Sequence, residues 1–391
     1  MPQATQESVS SEQAGGSSSR LGQLPTQNTS SPAPVSHSST INHRLSVHAK
    51  RSSAAVERQS ASATADSARL RDRFGALDRL PRPTGLRFDD RPDRADAKTP
   101  SVSSLPVALP PNILTIDLED WPVAVLGPRC AITDRVIQNT QRCLQILQWH
   151  GVTATFFILT RVAEQFPDLI RQVAAAGHEI ASHGHGHELL TRLSPREFAA
   201  DVGRSLDILE RLTGMRPIGY RAPAFSIVRR TRWAGPILAD LGIQYSSSVF
   251  PIRHRRYGIP DAPVDFHRWT DCSLIECPPA AVEAFGGRWP VAGGGWFRLL
   301  PGAVVRSAIR RIHRAGRPAV LYMHPYELEP GGVGQHRRDG LRVSPWRELT
   351  QELFRSRFER RLHRLLESFR YVPLRECVHQ FALTNKTAQN P

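Results

Sequence analysis

Three histidines stand close together in the stretch EIASHGHGHELL, where His183, His185 and His187 are separated by single glycines. A His-x3-His pair can offer two nitrogens to one cation, whether the turn between them is helical or tight. A catalytic metal site then needs one more protein ligand and an open position for water. The spacing therefore predicts His183 and His187 as metal ligands and His185 as a bystander. The competing interpretation is a glycine-rich loop whose histidines lie exposed on the surface.

Candidates for the missing ligand stand at the end of an earlier apolar run, where Asp117, Glu119 and Asp120 follow the residues NILTI. Arg221 and His324 also come directly after short apolar segments. In parallel β/α folds, chemistry takes place beyond the carboxyl ends of the strands. The sequence therefore predicts that carboxylates, imidazoles and a guanidinium gather at one face of one barrel.

The elements that must position these side chains alternate between strands and helices along the chain. Such alternation indicates a parallel sheet or a β/α barrel. The predicted strands cover 112–117, 153–158, 179–182, 218–221, 244–247 and 319–323, and the predicted helices cover 134–150, 161–176, 194–213, 231–241 and 348–369. The stretch between residues 250 and 300 is rich in proline and glycine, and we expect mostly loops there.

The first hundred residues differ in composition from the rest, being rich in Ser, Ala, Gln, Thr and Arg with few aromatic residues. Such a segment cannot bury enough apolar surface to offset the entropy cost of ordering. We therefore expect residues 1–105 to form a disordered, low-complexity extension. Residues 106–330 are expected to form the catalytic domain, and residues 331–391 a helical extension that packs on the barrel.

The chain of 391 residues carries a formal net charge of +15, which favours anionic surfaces or polymers. No zinc finger, basic zipper or aromatic RNA-binding signature accompanies this charge, so we do not expect nucleic-acid binding. The five cysteines form no CxxC pair, which suits a reducing compartment. Neither a transmembrane run nor a signal-peptide pattern is present. These features favour a cytoplasmic location.

Several motifs together resemble the polysaccharide deacetylase family, the NodB homology domain of carbohydrate esterases similar to family 4. A closer resemblance is to the subgroup encoded beside exosortase and PEP-CTERM exopolysaccharide genes. The motifs are LTIDLEDW (114–121), TATFFIL (153–159), GHEIASHGHGHELL (177–190), GYRAPAFSI (219–227), SSSVFPIRHRRYGIPDAP (246–263), PVAGGGWFRLLP (290–301) and YMHPYELEP (322–330). The resemblance covers more than two hundred residues and implies a distorted (β/α) barrel.

The resemblance also implies a role for individual residues. Asp117 corresponds to the general base, and Arg221 to the arginine that holds it. His324 corresponds to the general acid, which would protonate the departing amine. His183 and His187 correspond to the two metal-binding histidines.

The chain departs from the common family pattern at two places. Most members have two adjacent aspartates, the second of which binds metal, but Leu118 occupies that second place here. Glu119 is our preferred third ligand, and Asp120 is its rival. The family's Asp-x-Ser-x-Trp motif, whose acid tunes the catalytic histidine, is replaced by SSSVF. Glu327 or Glu329 could substitute for that acid.

The implied activity is metal-dependent removal of N-acetyl groups from amino sugars of an exopolysaccharide or its precursor. Zinc is the expected cation, although cobalt, nickel or iron would suit the same ligands. Trp296 either stacks on a sugar or packs in the core, and Pro223 is expected to contact the substrate. The expected partners are the N-acetylated poly- or oligosaccharide and proteins of exopolysaccharide synthesis. The alternatives are hydrolysis of cyclic amides and a catalytically impaired polysaccharide-binding scaffold.

Overall fold

The computed structural model describes residues 109–291 and 293–387, so the disorder expected for residues 1–105 lies outside the described residues. The described strands are β1 (Ile113–Leu118), β2 (Thr155–Ile158), β3 (Glu179–Ser182), β4 (Gly219–Tyr220), β5 (Tyr245–Ser246), β6 (His267–Arg268), β7 (Ile275–Glu276), β8 (Ala281–Ala284), β9 (Gly287–Pro290) and β10 (Val320–Met323). Eight of them form one sheet in the order β10-β1-β2-β3-β4-β5-β7-β6, and β8 and β9 form a separate antiparallel hairpin.

Every neighbouring pair in the large sheet is parallel except β6 and β7. The sheet curls into an open (β/α) barrel, which confirms the predicted fold class. The helices are Arg135–Trp149, Thr160–Gln165, Pro167–Ala175, Pro195–Thr213, Ala234–Asp240, Gly294–Leu299, Gly302–Arg314, Gly332–Arg338, Pro345–Glu352, Phe358–Ser368 and Leu374–Thr387. None of these described helices is both long and apolar enough to cross a bilayer.

Two sequence predictions about these elements were wrong. The helix predicted over 161–176 is two helices, because Pro167 lacks an N–H and its ring clashes with the preceding turn. The helix predicted over 348–369 is also interrupted, at Phe354, whose φ of 59° is left-handed. The stretch 250–300 is mostly loop, as expected, and also contains four short strands and a helix.

Strand β1 is buried along its whole length and packs on both sides. Because side chains alternate along a strand, Leu114 and Ile116 join one apolar cluster while Ile113 joins another. Thr115 and Asp117 share the face of Ile113, so two polar side chains lie in line near the carboxyl end of the strand. A continuous apolar run is what a strand covered on both faces requires.

Strand β10, which comes late in the sequence, pairs with β1 and forms one edge of the large sheet. β10 pairs in parallel with β1, in the register Ile113 to Val320. Beyond it, Asn112 bridges to Tyr371, and the backbone N–H of Leu374 donates to Thr155 Oγ1 at 2.8 Å. The C-terminal helices therefore contact the strands directly. The boundary expected at residue 330 stays a prediction.

His178 gives the fold a testable pH dependence. Its Nδ1 accepts a hydrogen bond from the Ala154 N–H, and burial lowers the pKa of His178 to about 4. The unfolded chain takes up this proton near pH 6.5, well before the folded chain does. The free energy of unfolding should therefore decrease as the pH falls from about 6.5 towards 4. Urea unfolding at pH 7 and pH 5 should show a smaller decrease for His178→Gln, and an equal decrease would contradict the assignment.

Candidate active site

Four strand ends bring the predicted polar residues together. Asp117 lies in β1, His183 and Arg221 follow β3 and β4, and His324 follows β10. Because these strands are parallel, their carboxyl ends meet at one face of the barrel. Asp117, His183 and Arg221 are each at most 3% exposed. The arrangement is a buried, polar site at the carboxyl ends of the strands.

Glu119, His183 and His187 present three ligand atoms that all lie within 4.8 Å of one another. Glu119 Oε2 is 2.6 Å from His187 Nε2 and 3.7 Å from His183 Nε2. The distance between Glu119 Oε2 and His187 Nε2 is short enough for a hydrogen bond, but the angles are not those of one. Glu119 Oε2 is therefore a buried oxygen without a hydrogen-bond partner. A buried carboxylate oxygen that faces two imidazole nitrogens fits a divalent cation between the three groups.

The pKa shifts of His183 and Glu119 also suit a cation. Burial lowers the pKa of His183, and its Nδ1 lies 2.8 Å from the Arg221 carbonyl oxygen, which leaves Nε2 directed at the site. Burial by itself would raise the pKa of Glu119, but the nearby imidazoles, His187 foremost, outweigh it and lower that pKa to about 2. Neutral imidazole and ionised carboxylate are the forms that bind metals.

The loop that carries the histidines is held by Asp201, a residue that the sequence analysis did not single out. Its two carboxylate oxygens accept the backbone N–H groups of His185 and Gly186, each at 2.8 Å. His187 adopts a left-handed φ of 58° in this loop. The His185 ring turns away, with Nδ1 3.1 Å from Thr160 Oγ1. The loop geometry therefore separates two inward histidines from one outward histidine.

Asp120 is buried in a different environment from Glu119. Its oxygens accept hydrogen bonds from Trp121 N at 2.9 Å, Thr133 N at 2.6 Å and Thr133 Oγ1 at 2.8 Å. Burial raises the pKa of Asp120, and these three hydrogen bonds oppose that rise. The carboxylate thus fastens the loop after β1, and its oxygens do not join the histidine cluster.

The Arg221 guanidinium holds Asp117 from one side. Its Nη1 donates to Asp117 Oδ1 and to Thr115 Oγ1, each at 2.7 Å. Its Nε and Nη2 donate to the carbonyl and hydroxyl oxygens of Ser247, at 3.0 and 2.8 Å. Both charged side chains are almost fully buried. With Oδ1 occupied, Asp117 Oδ2 is directed towards His324, whose Nε2 is 3.9 Å away.

His324 lies beside the cluster, with Nε2 3.4 Å from Glu119 Oε1. Its Nδ1 is 3.3 Å from Glu327 Oε2, and Glu327 Oε1 is 3.4 Å from the Nε of the buried Arg298. Burial would lower the pKa of His324. The hydrogen bond to Glu327 and the surrounding carboxylates raise it to about 9.

Of the two carboxylates considered as substitutes for the missing family aspartate, Glu327 is the one beside His324. Glu329 instead forms an ion pair with Arg135 and accepts a hydrogen bond from Asn139 at 2.9 Å. The residues SSSVF, at the family's aspartate position, form part of the scaffold around Arg221 through Ser247.

Aromatic side chains form a wall beside His324. Tyr322 lies 6.0 Å from the His324 ring and 4.9 Å from the Phe225 ring, measured between centroids. Trp296 is half-buried on the short helix Gly294–Leu299. Pro223 is buried in the turn that follows Arg221. The aromatic residues Phe225, Phe250, Tyr257 and Tyr322 were not among the predicted site residues, since apolar types in strands and loops give no distinct signal.

The fold and the site thus define an α/β barrel protein with acid, imidazole and guanidinium groups at the strand ends. Residues 129–246 match the family described as polysaccharide deacetylase, and residues 247–379 match a domain of unknown function, DUF3473. Residues 129–246 are therefore similar to the family that the motifs predicted. The exosortase-associated subgroup remains a prediction.

Individual relatives match over shorter stretches. A peptidoglycan-N-acetylglucosamine deacetylase of Bacillus cereus is 33% identical over 99 residues, which is 25% of this chain and 36% of that protein. A peptidoglycan deacetylase-like protein of Gibberella zeae is 38% identical over 110 residues, covering 28% and 32%. This chain thus spans about a third of the length of these relatives. A putative polysaccharide deacetylase structure from Mycobacterium smegmatis aligns with a TM-score of 0.47 at 20% identity, covering 72% of this chain and 93% of that one.

The two matched segments meet inside the site. The boundary falls between Ser246 and Ser247, and Ser247 binds the guanidinium of Arg221 from the first segment. His324 and Glu327 also belong to the second segment. The segment of unknown function therefore supplies part of the same buried site.

Proposed function

We propose that this protein is a metal-dependent hydrolase that removes N-acetyl groups from amino sugars of an exopolysaccharide or its precursor. The observation that carries the proposal is a Glu-His-His cluster with Asp117 and His324 close beside it. The family match of residues 129–246 supports deacetylation as the reaction. The names of the bacterial and fungal relatives concern peptidoglycan, a polymer that also contains N-acetylated amino sugars.

In the proposed reaction, a divalent cation held by Glu119, His183 and His187 would acidify a water molecule and polarise the amide oxygen. Asp117 would accept a proton from the attacking water through Oδ2, while the hydrogen bond from Arg221 to Oδ1 orients the carboxylate. His324 donates a proton from Nε2 to the departing nitrogen, because an amide ion is too poor a leaving group. Since Asp117 Oδ2 and His324 Nε2 are 3.9 Å apart, both can reach one reacting centre.

The remaining features of the proposal follow from ligand chemistry and composition. Zinc is the proposed cation, with cobalt, nickel or iron compatible with one carboxylate and two imidazoles. A cytoplasmic location and association with proteins of exopolysaccharide synthesis are part of the proposal. Pro223 and Trp296 are the proposed substrate contacts.

A paired measurement on the full-length protein tests the function. We expect elemental analysis to find about one divalent metal ion per chain, and acetate to be released from N-acetylglucosamine oligomers. Chelation should stop acetate release, and added zinc should restore it. Metal binding without acetate release would overturn deacetylation. Assays with cyclic amides would then separate hydrolysis of other carbon–nitrogen bonds from a polysaccharide-binding scaffold.

Glu327 is proposed to orient His324 for proton donation. Glu327→Gln should lower kcat on the order of 10- to 100-fold, the usual effect of removing a hydrogen-bond partner that fixes a functional imidazole. Metal content and KM should stay unchanged, because Glu327 touches neither the histidine pair nor the aromatic wall. Steady-state kinetics on N-acetylglucosamine oligomers provide the measurement. Glu329→Gln is the matched control, and a similar loss of kcat in that variant would contradict the assignment.

A further inference from the structure

An exposed, strongly basic loop lies at the edge of the aromatic wall. Residues 253–256 read RHRR, and all four side chains are exposed. No ion pair within the described part of the chain involves Arg253, Arg255 or Arg256. The loop is followed by Gly258, which has a φ of +97° and where any Cβ would lie 2.4 Å from a backbone carbonyl oxygen, so only glycine fits there.

Aromatic contacts connect this loop to the site. The His254 ring stacks on Tyr257 at 3.8 Å, and Tyr257 lies 6.0 Å from Phe225. Phe225 in turn contacts Tyr322, which lies beside His324. Because Phe225 and Tyr322 are buried, these rings do not themselves offer a surface, but their contacts place the loop near His324. A polymer seated at His324 could therefore extend to the arginines of the loop.

On its other side the loop borders a cleft of about 620 Å³, which we call the arginine cleft. Its lining residues are Arg253, Pro260, Glu283, Ala284, Phe285, Gly286, Gly287, Arg288 and Arg311. The Phe285 side chain, at the tip of the β8–β9 hairpin, is 99% exposed and offers an apolar surface.

The charges of the arginine cleft are unbalanced. Glu283 is the single acid among its lining residues, and its Oε1 lies 3.1 Å from the Nε of Arg288. Arg288 also donates to the carbonyl oxygens of Pro260 and Ala262. Arg253 and Arg311 have no carboxylate partner among the described residues. Like charges held together in this way favour the binding of an anion.

We propose that the arginine cleft and the 253–256 loop bind acidic groups of the polysaccharide, so that the preferred substrate is an anionic, N-acetylated polymer. This inference rests on the proposed deacetylase function and specifies its substrate class. Guanidinium groups match the geometry of carboxylates and phosphates, the two acidic groups that such a polymer can carry. The position of the loop near His324, together with the proposed deacetylase function, favours a polysaccharide over a nucleic acid.

The test compares acetate release from three substrates at low and high salt. They are a neutral N-acetylglucosamine oligomer, a polymer of alternating N-acetylglucosamine and glucuronic acid, and an N-acetylglucosamine polymer linked by phosphodiesters. We expect a higher kcat/KM on at least one acidic polymer than on the neutral oligomer, and this advantage should shrink with added salt. The better acidic substrate identifies the group that the cleft prefers.

A triple variant, Arg253→Gln, Arg255→Gln and Arg311→Gln, should raise KM for the acidic substrate about tenfold, equivalent to about 1.4 kcal/mol. Its kcat, its melting temperature and its rate on the neutral oligomer should stay unchanged. The matched control removes three arginines that do not line the cleft, as Arg211→Gln, Arg360→Gln and Arg364→Gln. We expect KM of the control to match that of the unmodified protein.

Three outcomes would overturn the inference. Equal rates on neutral and acidic substrates would exclude an acidic preference while leaving the deacetylase function intact. An equal rise in KM in the control variant would show that general charge, and not the cleft, is responsible. A greater loss of affinity for duplex DNA than for the acidic polymer would assign the basic surface to nucleic acid. Acetate release from none of the substrates would instead reject the proposed function itself.

Discussion

Replacing Glu119 with alanine is expected to leave the purified protein without bound metal and without measurable acetate release. Glu119 Oε2 is the carboxylate oxygen that faces both His183 and His187, and two imidazoles alone form an incomplete site. His183→Ala should have the same effect. Elemental analysis and an acetate assay on the same preparation provide the measurement.

Asp120→Ala is the matched control for this experiment. Because its oxygens bind Thr133 and Trp121, its removal should leave metal content nearly normal. It should instead destabilise the fold by about 1–3 kcal/mol, since buried hydrogen-bond donors lose their acceptor. Urea unfolding measures that loss. The ligand assignment would be reversed if Asp120→Ala lost its metal while Glu119→Ala kept it.

Asp117→Asn should lower kcat on the order of 10²–10⁴-fold, the usual contribution of a positioned proton-transfer group. The amide has the shape of the carboxylate and its oxygen can still accept from Arg221, but it cannot take up a proton from water. Metal content should therefore change little, whereas the melting temperature should fall, because the buried Arg221 guanidinium loses its counter-charge. Steady-state kinetics together with elemental analysis would check this, with Asp207→Asn on an exposed helix face as the control.

The metal measurement distinguishes two roles for Asp117. Loss of metal along with activity would show that Asp117 is itself a ligand and that the base must be sought elsewhere. Retention of metal with normal kcat would remove Asp117 from the reaction altogether. The expected result, full metal with strongly reduced kcat, separates proton transfer from metal binding.

The strand ends could be predicted from sequence because each is marked by two local features, an apolar run and the polar residue that follows it. A β-branched apolar run such as 112–117 marks a buried strand, and the polar residue after it marks the carboxyl end. Parallel pairing then places Asp117, His183, Arg221 and His324 at one face without further information. The same reasoning could not choose between Glu119 and Asp120, because both follow one strand.

What decides between these two carboxylates is a contact made by distant parts of the chain. Thr133 reaches Asp120, while the loop fastened by Asp201 brings His187 to Glu119. Asp201 sits on a helix whose sequence shows only capping and periodicity, so nothing local marks it as a support. Contacts of this kind depend on how a helix packs against a loop. That packing joins residues far apart in the chain, so no local sequence pattern predicts it.

The pairing of β10 with β1 has a consequence for how the protein is made. A ribosome releases Ile113 roughly two hundred residues before its partner Val320, so one edge of β1 stays unpaired during most of synthesis. Pairings this far apart in sequence slow folding, and an exposed strand edge invites pairing with other chains. We therefore expect the nascent chain to depend on protection by chaperones until its final third has emerged. The site itself should appear all at once, when His324 arrives with the strand that closes the edge.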